Sequence, residues 1–113
     1  LMFKNSSFNQ NISDWDVSNL NNLYQTFAYT NFNQDISNWN VSGLTNMNQA
    51  FLNAGSFNQD ISNWDLSNVS SMSEAFLNTS SMSNENKCSI YNSFNSFSGW
   101  ENAGATNWDQ FCQ

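Results

Sequence analysis

Three nearly identical stretches dominate this sequence. Residues 7–19 read SFNQNISDWDVSN, residues 31–43 read NFNQDISNWNVSG, and residues 56–68 read SFNQDISNWDLSN. The copies start 24 and 25 residues apart. Intervals of this size are typical of repeat proteins, in which one unit cannot bury an apolar face alone and neighbouring units cover each other. The repetition therefore predicts that successive copies stack.

Large apolar residues return at the same place in every copy. Aromatic residues make up 16% of a chain that is only 39% hydrophobic, so we expect a thin core built from few, bulky side chains. The residues of this predicted core ladder are Phe8, Phe32, Phe57, Ile12, Ile36, Ile61, Trp15, Trp39, Trp64, Phe27, Phe51 and Phe76.

The local spacing within each copy predicts one strand and one helical turn. Residues 14–17, Asp-Trp-Asp-Val, alternate polar and apolar side chains as a half-buried strand does. Leu20, Leu23 and Phe27 follow at spacings of three and four, which is typical of a helical turn. The predicted fold class is an α/β solenoid, similar to leucine-rich repeats, with one short parallel strand and one helical turn per repeat of 24–25 residues.

The pattern also predicts where the chain divides. It fades after residue 81, and a stacked array needs a differently built end to cover its last unit. We expect solenoid repeats over residues 1–81 (a partial unit 1–7, then 8–31, 32–56 and 57–81) and a C-terminal capping segment over 82–113. Because the sequence opens in the middle of a unit, we also expect further repeats of the same chain upstream.

The two cysteines, Cys88 and Cys112, bracket the capping segment. A disulfide would close a loop of about 25 residues and add roughly 3–4 kcal/mol to stability, and it would suit an oxidising environment. Two free thiols would suit a cytosolic protein. A metal pair lacks further ligands, since the chain has no His. We expect the disulfide.

The charge of the chain argues against several classes of partner. Two Lys or Arg residues stand against nine Asp and Glu residues, which gives a net charge of −7 at pH 7. Such a surface repels nucleic acid and anionic membranes. No apolar run of about 20 residues is present, so we expect no membrane insertion.

The residue types also speak against catalysis. Without His, the chain cannot build a Ser–His or Cys–His pair. Four Gly residues form no phosphate-binding loop. Carboxylates on a flat, wet strand face are poorly placed to act as raised-pKa acids. We therefore expect no enzyme and no cofactor, with weakly bound calcium as the one ion that the carboxylates could hold.

The polar residues beside each Trp are the candidate interaction face. They are Asp14, Asp16, Asn38, Asn40, Asn63 and Asp65. The plain interpretation is a solvated face, and the functional one is a surface that binds a partner; a carbohydrate- or calcium-binding face is the alternative. Trp100 and Trp108 lie in loop-like contexts, SGWEN and TNWDQ, and exposure of either ring beside carboxylates would favour a defined binding site.

The unit itself resembles a known family. The run SFNQDISNWDLSNVSSMSEAF, residues 56–76, is similar to the repeat of DUF285 bacterial surface proteins, which look like a variant of the BspA-type leucine-rich repeat. The spacing of Ile61, Trp64 and Leu66 is similar to a Leu-x-x-Leu-x-Leu strand, but Asn68 falls one place earlier than the usual asparagine. The resemblance covers residues 1–81 and implies secretion and exposure at a cell surface, without enzyme activity.

Together these features predict a non-catalytic repeat module, secreted or at the cell surface, that serves as a scaffold. Its expected partners are a protein or glycan at a cell surface, in adhesion or assembly.

Overall fold

Regular secondary structure is concentrated in the last third of the chain. The structure is a computed structural model and describes residues 2–113. One α-helix, α1, spans Asn84–Phe94, and two 3-10 helices span Trp100–Asn102 and Trp108–Cys112. The Cα radius of gyration is 12.7 Å, as expected for a compact body of this length.

The repeats are built from consecutive tight turns. In the second copy, the backbone N–H of Trp39 donates to the carbonyl of Ile36 at 3.1 Å, and that of Leu44 donates to Val41 at 2.9 Å. Both bonds span three residues, which is the hydrogen bond that closes a β-turn. The same pairs of turns recur in the first and third copies. The alternation of residues 14–17 therefore belongs to turns and not to a strand.

The predicted α/β solenoid is wrong. Within residues 2–113, strand-type pairing is limited to two isolated parallel bridges, Asn22 with Asn46 and Asn46 with Ser71, so no sheet forms. The predicted helical turn is also wrong. Gln25 and Tyr29 have φ of 55° and 60°, in the left-handed region, which a right-handed helix cannot include.

Successive copies are nevertheless held in register by backbone hydrogen bonds. The N–H groups of Leu23, Gln25, Phe27 and Tyr29 donate to the carbonyls at positions 46, 48, 50 and 52, over 2.9–3.2 Å. The second and third copies repeat the pattern, from 47, 49, 51 and 53 to 71, 73, 75 and 77. Because these donors bond to the next copy, they are not available for a helix within their own copy.

The core consists of stacked rings from equivalent positions. Phe27, Phe51 and Phe76 lie with centroids 5.4 and 5.8 Å apart and rings nearly parallel. Trp39 and Trp64 stack at 6.4 Å with an angle of 6°. The buried members of the predicted ladder are Ile12, Phe27, Phe32, Ile36, Trp39, Phe51, Phe57, Ile61, Trp64 and Phe76. Phe8 is half-buried, whereas Trp15 is 46% exposed and departs from the predicted burial.

The C-terminal segment covers the third copy. Ser83 is the N-cap of α1 and accepts from the N–H of Asn86, while the face of α1 that carries Ile90 and Phe94 is buried. After the helix, the backbone of the chain forms hydrogen bonds with the backbone of the last repeat. The N–H of Glu74 donates to the carbonyl at position 102 (2.7 Å), and that of Phe76 donates to the carbonyl at 103 (2.8 Å). Residues 102–103 thus continue the hydrogen-bonding pattern of the repeats.

The predicted disulfide is confirmed. Cys88 in α1 and Cys112 in the second 3-10 helix are bonded, with Cα atoms 5.0 Å apart. The bond ties the end of the chain to α1. In the part of the chain that the structure describes, no helix has the length and apolar character needed to span a membrane.

Candidate functional site

All six residues of the predicted interaction face are exposed in the structure. They form two columns that run across the three copies, one before each Trp and one after it. The first column is Asp14, Asn38 and Asn63, and the second is Asp16, Asn40 and Asp65. We call the two columns together the polar face.

The second column caps turns. The Oδ1 atom of Asp16 accepts from the N–H of Ser18 at 3.0 Å and from its hydroxyl at 2.6 Å. Asn40 accepts from Ser42 in the same way. This is the Asx-turn geometry, in which a short side chain replaces a backbone acceptor. The repeated Asp/Asn-x-Ser pattern is therefore explained by local structure.

These hydrogen bonds also lower the pKa of the carboxyl groups in the second column. The hydroxyl and the backbone N–H of Ser18 hold the pKa of Asp16 below its usual value of 3.8. The hydroxyl and N–H of Ser67 lower the pKa of Asp65 likewise. Both donors bond the charged form, so they favour ionisation. Asp16 and Asp65 are therefore charged at neutral pH.

The first column is different because its side chains bond to nothing else in the described chain. Neither Asp14, Asn38 nor Asn63 makes a side-chain hydrogen bond to any of residues 2–113. One carboxylate and two amides thus point into solvent at successive repeat positions. Asn63 also borders a shallow groove of about 380 Å³. The other residues lining this groove are Asp35, Ser37, Gln59, Asp60 and Ser62.

A row of asparagine side chains joins the copies to each other by hydrogen bonds. The sequence did not predict these bonds. The Oδ1 of Asn9 accepts from the N–H of Asn33 at 2.9 Å, and the Oδ1 of Asn33 accepts from the N–H of Asn58 at 2.9 Å. The row ends where Asn58 accepts from the N–H of Ser83, the N-cap of α1. The Gln that follows each Asn is the signal in the sequence, because Gln34 and Gln59 reach back to the same oxygen atoms.

The described residues on these surfaces form no metal site. Among residues 2–113, no three His, Cys, Asp or Glu side chains lie close enough together to hold a metal ion. Asp14 and Asp16 are separated from Asp65 by the middle copy, which carries Asn38 and Asn40 in their columns.

A cleft in the C-terminal segment is the other candidate site, and we call it the C-terminal cleft. It has a volume of about 290 Å³ and lies between α1 and the two 3-10 helices. Its lining residues are Tyr91, Trp100, Glu101, Ala105, Thr106, Asn107, Trp108 and Asp109. Trp100 is half-buried, whereas Trp108 is only 5% exposed. The sequence indicated Trp100 and Trp108 as candidates for exposure beside carboxylates, but no feature of it predicted that they meet in one cleft.

Comparison with known protein families decides the membership of the chain. Residues 1–89 match the family described as "Mycoplasma protein of unknown function, DUF285". The chain belongs to the DUF285 family. The match covers the three repeats and the start of α1, and it confirms the family that the repeat motif indicated. It does not test the likeness to the BspA-type leucine-rich repeat. No curated protein and no solved structure matches this DUF285 chain.

Proposed function

We propose that this DUF285 chain is a non-catalytic scaffold module, secreted or displayed at a cell surface, that binds a protein or cell-surface partner through its polar face. The observation that supports this most directly is the column of Asp14, Asn38 and Asn63, whose side chains are exposed and without a bonding partner in residues 2–113. Adhesion and assembly are the roles that such a face serves.

The way in which the polar face is supported favours recognition. The neighbouring column is held by Asx turns, and the Asn9–Asn33–Asn58 row fixes one copy against the next. The backbone of such a framework presents polar groups at regular spacing and need not be ordered when a partner binds. The net charge of −7 would steer a basic partner toward the surface.

The disulfide supports the proposed location. Disulfides persist in secreted and surface proteins and are rare in the reducing cytosol. The bond between Cys88 and Cys112 therefore suits exposure outside the cell. Protease treatment of intact cells of the source organism, followed by detection of the chain, tests this part of the proposal. Protection from protease until the cells are lysed would contradict it.

A matched pair of variants tests the polar face. The double variant Asn38→Lys and Asn63→Lys adds two positive charges to the face, and Asn31→Lys with Ser56→Lys adds two at exposed positions outside it. Beads coated with each protein are applied to cultured cells and to surfaces coated with extracellular-matrix proteins. We expect the first variant to reduce attachment about tenfold and the second to leave it unchanged.

Attachment that is lost equally in both variants would show a general charge effect and contradict the proposal. Absence of attachment by the unmodified chain to every surface would contradict it as well. Circular dichroism and melting temperature of both variants establish that the fold is retained.

A further inference from the structure

We infer that the C-terminal cleft binds one neutral sugar unit, seated against the ring of Trp100. This goes beyond the proposed function, because the cleft shares no residue with the polar face and would be occupied whether or not that face binds a partner.

The aromatic wall of the cleft is rigid and partly open to solvent. Tyr91 and Trp100 are both half-buried, with centroids 6.2 Å apart and rings at 66°. Behind them, the indole of Trp100 packs against the buried rings of Phe76 and Phe94, with ring centroids 6.2 and 6.4 Å apart. Trp108 also packs against this indole, with ring centroids 5.9 Å apart, and the part of the Trp100 ring that lines the cleft can contact C–H groups of a pyranose without having to be ordered first.

The polar wall supplies the hydrogen bonds that a sugar requires. Glu101, Thr106, Asn107 and Asp109 are exposed, and their side chains make no hydrogen bond to the rest of the described chain. The two carboxylates accept strong, charge-assisted hydrogen bonds from hydroxyl groups. The amide and the hydroxyl both donate and accept. A wall of this kind beside an indole matches a polyol better than an apolar molecule.

The size of the cleft suits a ligand of one ring. Its volume of about 290 Å³ lies just below the range of about 300–1,000 Å³ for small-molecule sites. The Cys88–Cys112 disulfide joins α1, which carries Tyr91, to the second 3-10 helix, which carries Asp109. The walls are therefore held together before a ligand arrives.

The charge of the cleft selects against acidic sugars. Glu101 and Asp109 face a ligand on a chain whose net charge is −7. A carboxylated sugar would be repelled, so the ligand class is a neutral hexose or N-acetylhexosamine.

The test uses the disulfide-bonded chain of residues 1–113 labelled with ¹⁵N. The methyl glycosides of glucose, galactose and N-acetylglucosamine are titrated to about 100 mM while the five indole N–H signals are recorded. The variant Trp100→Phe assigns the signal of Trp100. We expect that signal to move with at least one of these sugars, with a Kd in the millimolar range. The signals of the buried Trp39 and Trp64 should stay in place.

Two charge-matched variants locate the site. Glu101→Gln with Asp109→Asn should weaken binding about fivefold or more, because neutral acceptors replace charged ones. Asp35→Asn with Asp60→Asn removes the same charge away from the cleft and should not change the Kd. The equivalent position of the first copy is Asn11, so this control is compatible with the fold.

Several results would overturn the inference. One is that no neutral sugar moves the Trp100 signal, and another is that the Glu101 and Asp109 variant binds as tightly as the unmodified chain. Movement of the Trp100 signal by tetramethylammonium chloride but by no sugar would assign the cleft to a cation instead. Binding of N-acetylneuraminic acid in preference to the neutral sugars would contradict the role given to the two carboxylates.

Discussion

The indole Nε1 of Trp64 donates a hydrogen bond of 3.0 Å to the carbonyl oxygen of Ile36, 28 residues earlier in the chain. The same carbonyl accepts the backbone N–H of Trp39, so both of its acceptor positions are used. Trp39 makes the equivalent bond to Ile12 at 3.0 Å. The tryptophan column therefore joins each copy to the turn of the copy before it.

The first prediction concerns this bond. The variant Trp64→Phe removes the indole donor and leaves space in a site where Trp64 is only 3% exposed. We expect the free energy of unfolding to fall by about 2–3 kcal/mol, from the lost hydrogen bond and the lost packing. Trp15→Phe is the matched control, since Trp15 is 46% exposed, and we expect a loss below about 1 kcal/mol. Chemical denaturation measures both, and equal losses would argue against the role of the indole bond.

The second prediction concerns the asparagine row. The Oδ1 of Asn33 accepts from the N–H of Asn58 and from the Nε2 of Gln59, both at 2.9 Å. Asn33→Ala removes this acceptor and should lower the free energy of unfolding by about 1–3 kcal/mol.

Asn33→Asp is the informative comparison for this row. A carboxylate can accept both hydrogen bonds, so it should keep most of the stability at pH 7. If Asn33→Asp lowers the free energy of unfolding as much as Asn33→Ala does, the hydrogen bonds accepted by this side chain do not account for its contribution to stability.

The third prediction concerns pH. The Ser hydroxyl and backbone N–H that follow Asp16, Asp35 and Asp65 hold the pKa of each carboxyl below 3.8 in the folded state. A depressed pKa stabilises the fold at pH values above 3.8, and this contribution is lost as the pH falls from 3.8 through the folded-state pKa. The triple variant with Asn at the three positions should show a weaker loss of stability over this acidic range.

The control for pH removes the same number of charges elsewhere. Asp14→Asn, Glu85→Gln and Glu101→Gln leave the three Ser-bonded carboxylates intact, so this variant should keep the steeper dependence. Thermal unfolding between pH 7 and strongly acidic conditions compares the proteins. Parallel curves for both triple variants would contradict the assignment.

The fourth prediction concerns the glycine where the C-terminal segment meets the last repeat. Gly104 has φ of 80°, and a Cβ atom there would lie 2.7 Å from the Cβ of Leu77. Gly104→Ala should therefore cost about 2–4 kcal/mol. Gly55→Ala meets only the Oγ of Ser80 at 3.6 Å and should change stability by less than about 1 kcal/mol. Denaturant titration distinguishes them, and a tolerated Gly104→Ala would mean that the segment can shift away from the repeat.

Part of the fold followed from the sequence because similar residues at a nearly constant interval can stack on the equivalent residues of the next copy. The stacking of Phe27 on Phe51 and the hydrogen-bonded register between copies are direct consequences of the interval. The Cys88–Cys112 pairing followed from their position around the segment that breaks the pattern. The residues of the polar face are exposed, although the strand from which their exposure was predicted does not form.

The secondary structure did not follow, because the spacing of apolar residues is shared by more than one backbone conformation. Residues 14–17 alternate as a strand would, yet Asx turns produce the same alternation when Asp16 caps the turn with its own side chain. Leu20, Leu23 and Phe27 are spaced as in a helix, but the backbone at Gln25 is left-handed. Only the partners of the backbone N–H groups distinguish these cases, and those partners lie in the next copy.

The sequence by itself determined the repeat interval, the family, the set of large side chains available to the core and the cysteine pair, because each is carried by residue identity and spacing. The tertiary structure decided the backbone conformation of every copy, the exposure of Trp15 and the meeting of Trp100 with Asp109 in one cleft. The physical reason is that these depend on contacts between residues far apart in the chain. A backbone donor that can bond within its own copy or to a neighbour takes the partner that stacking brings within reach.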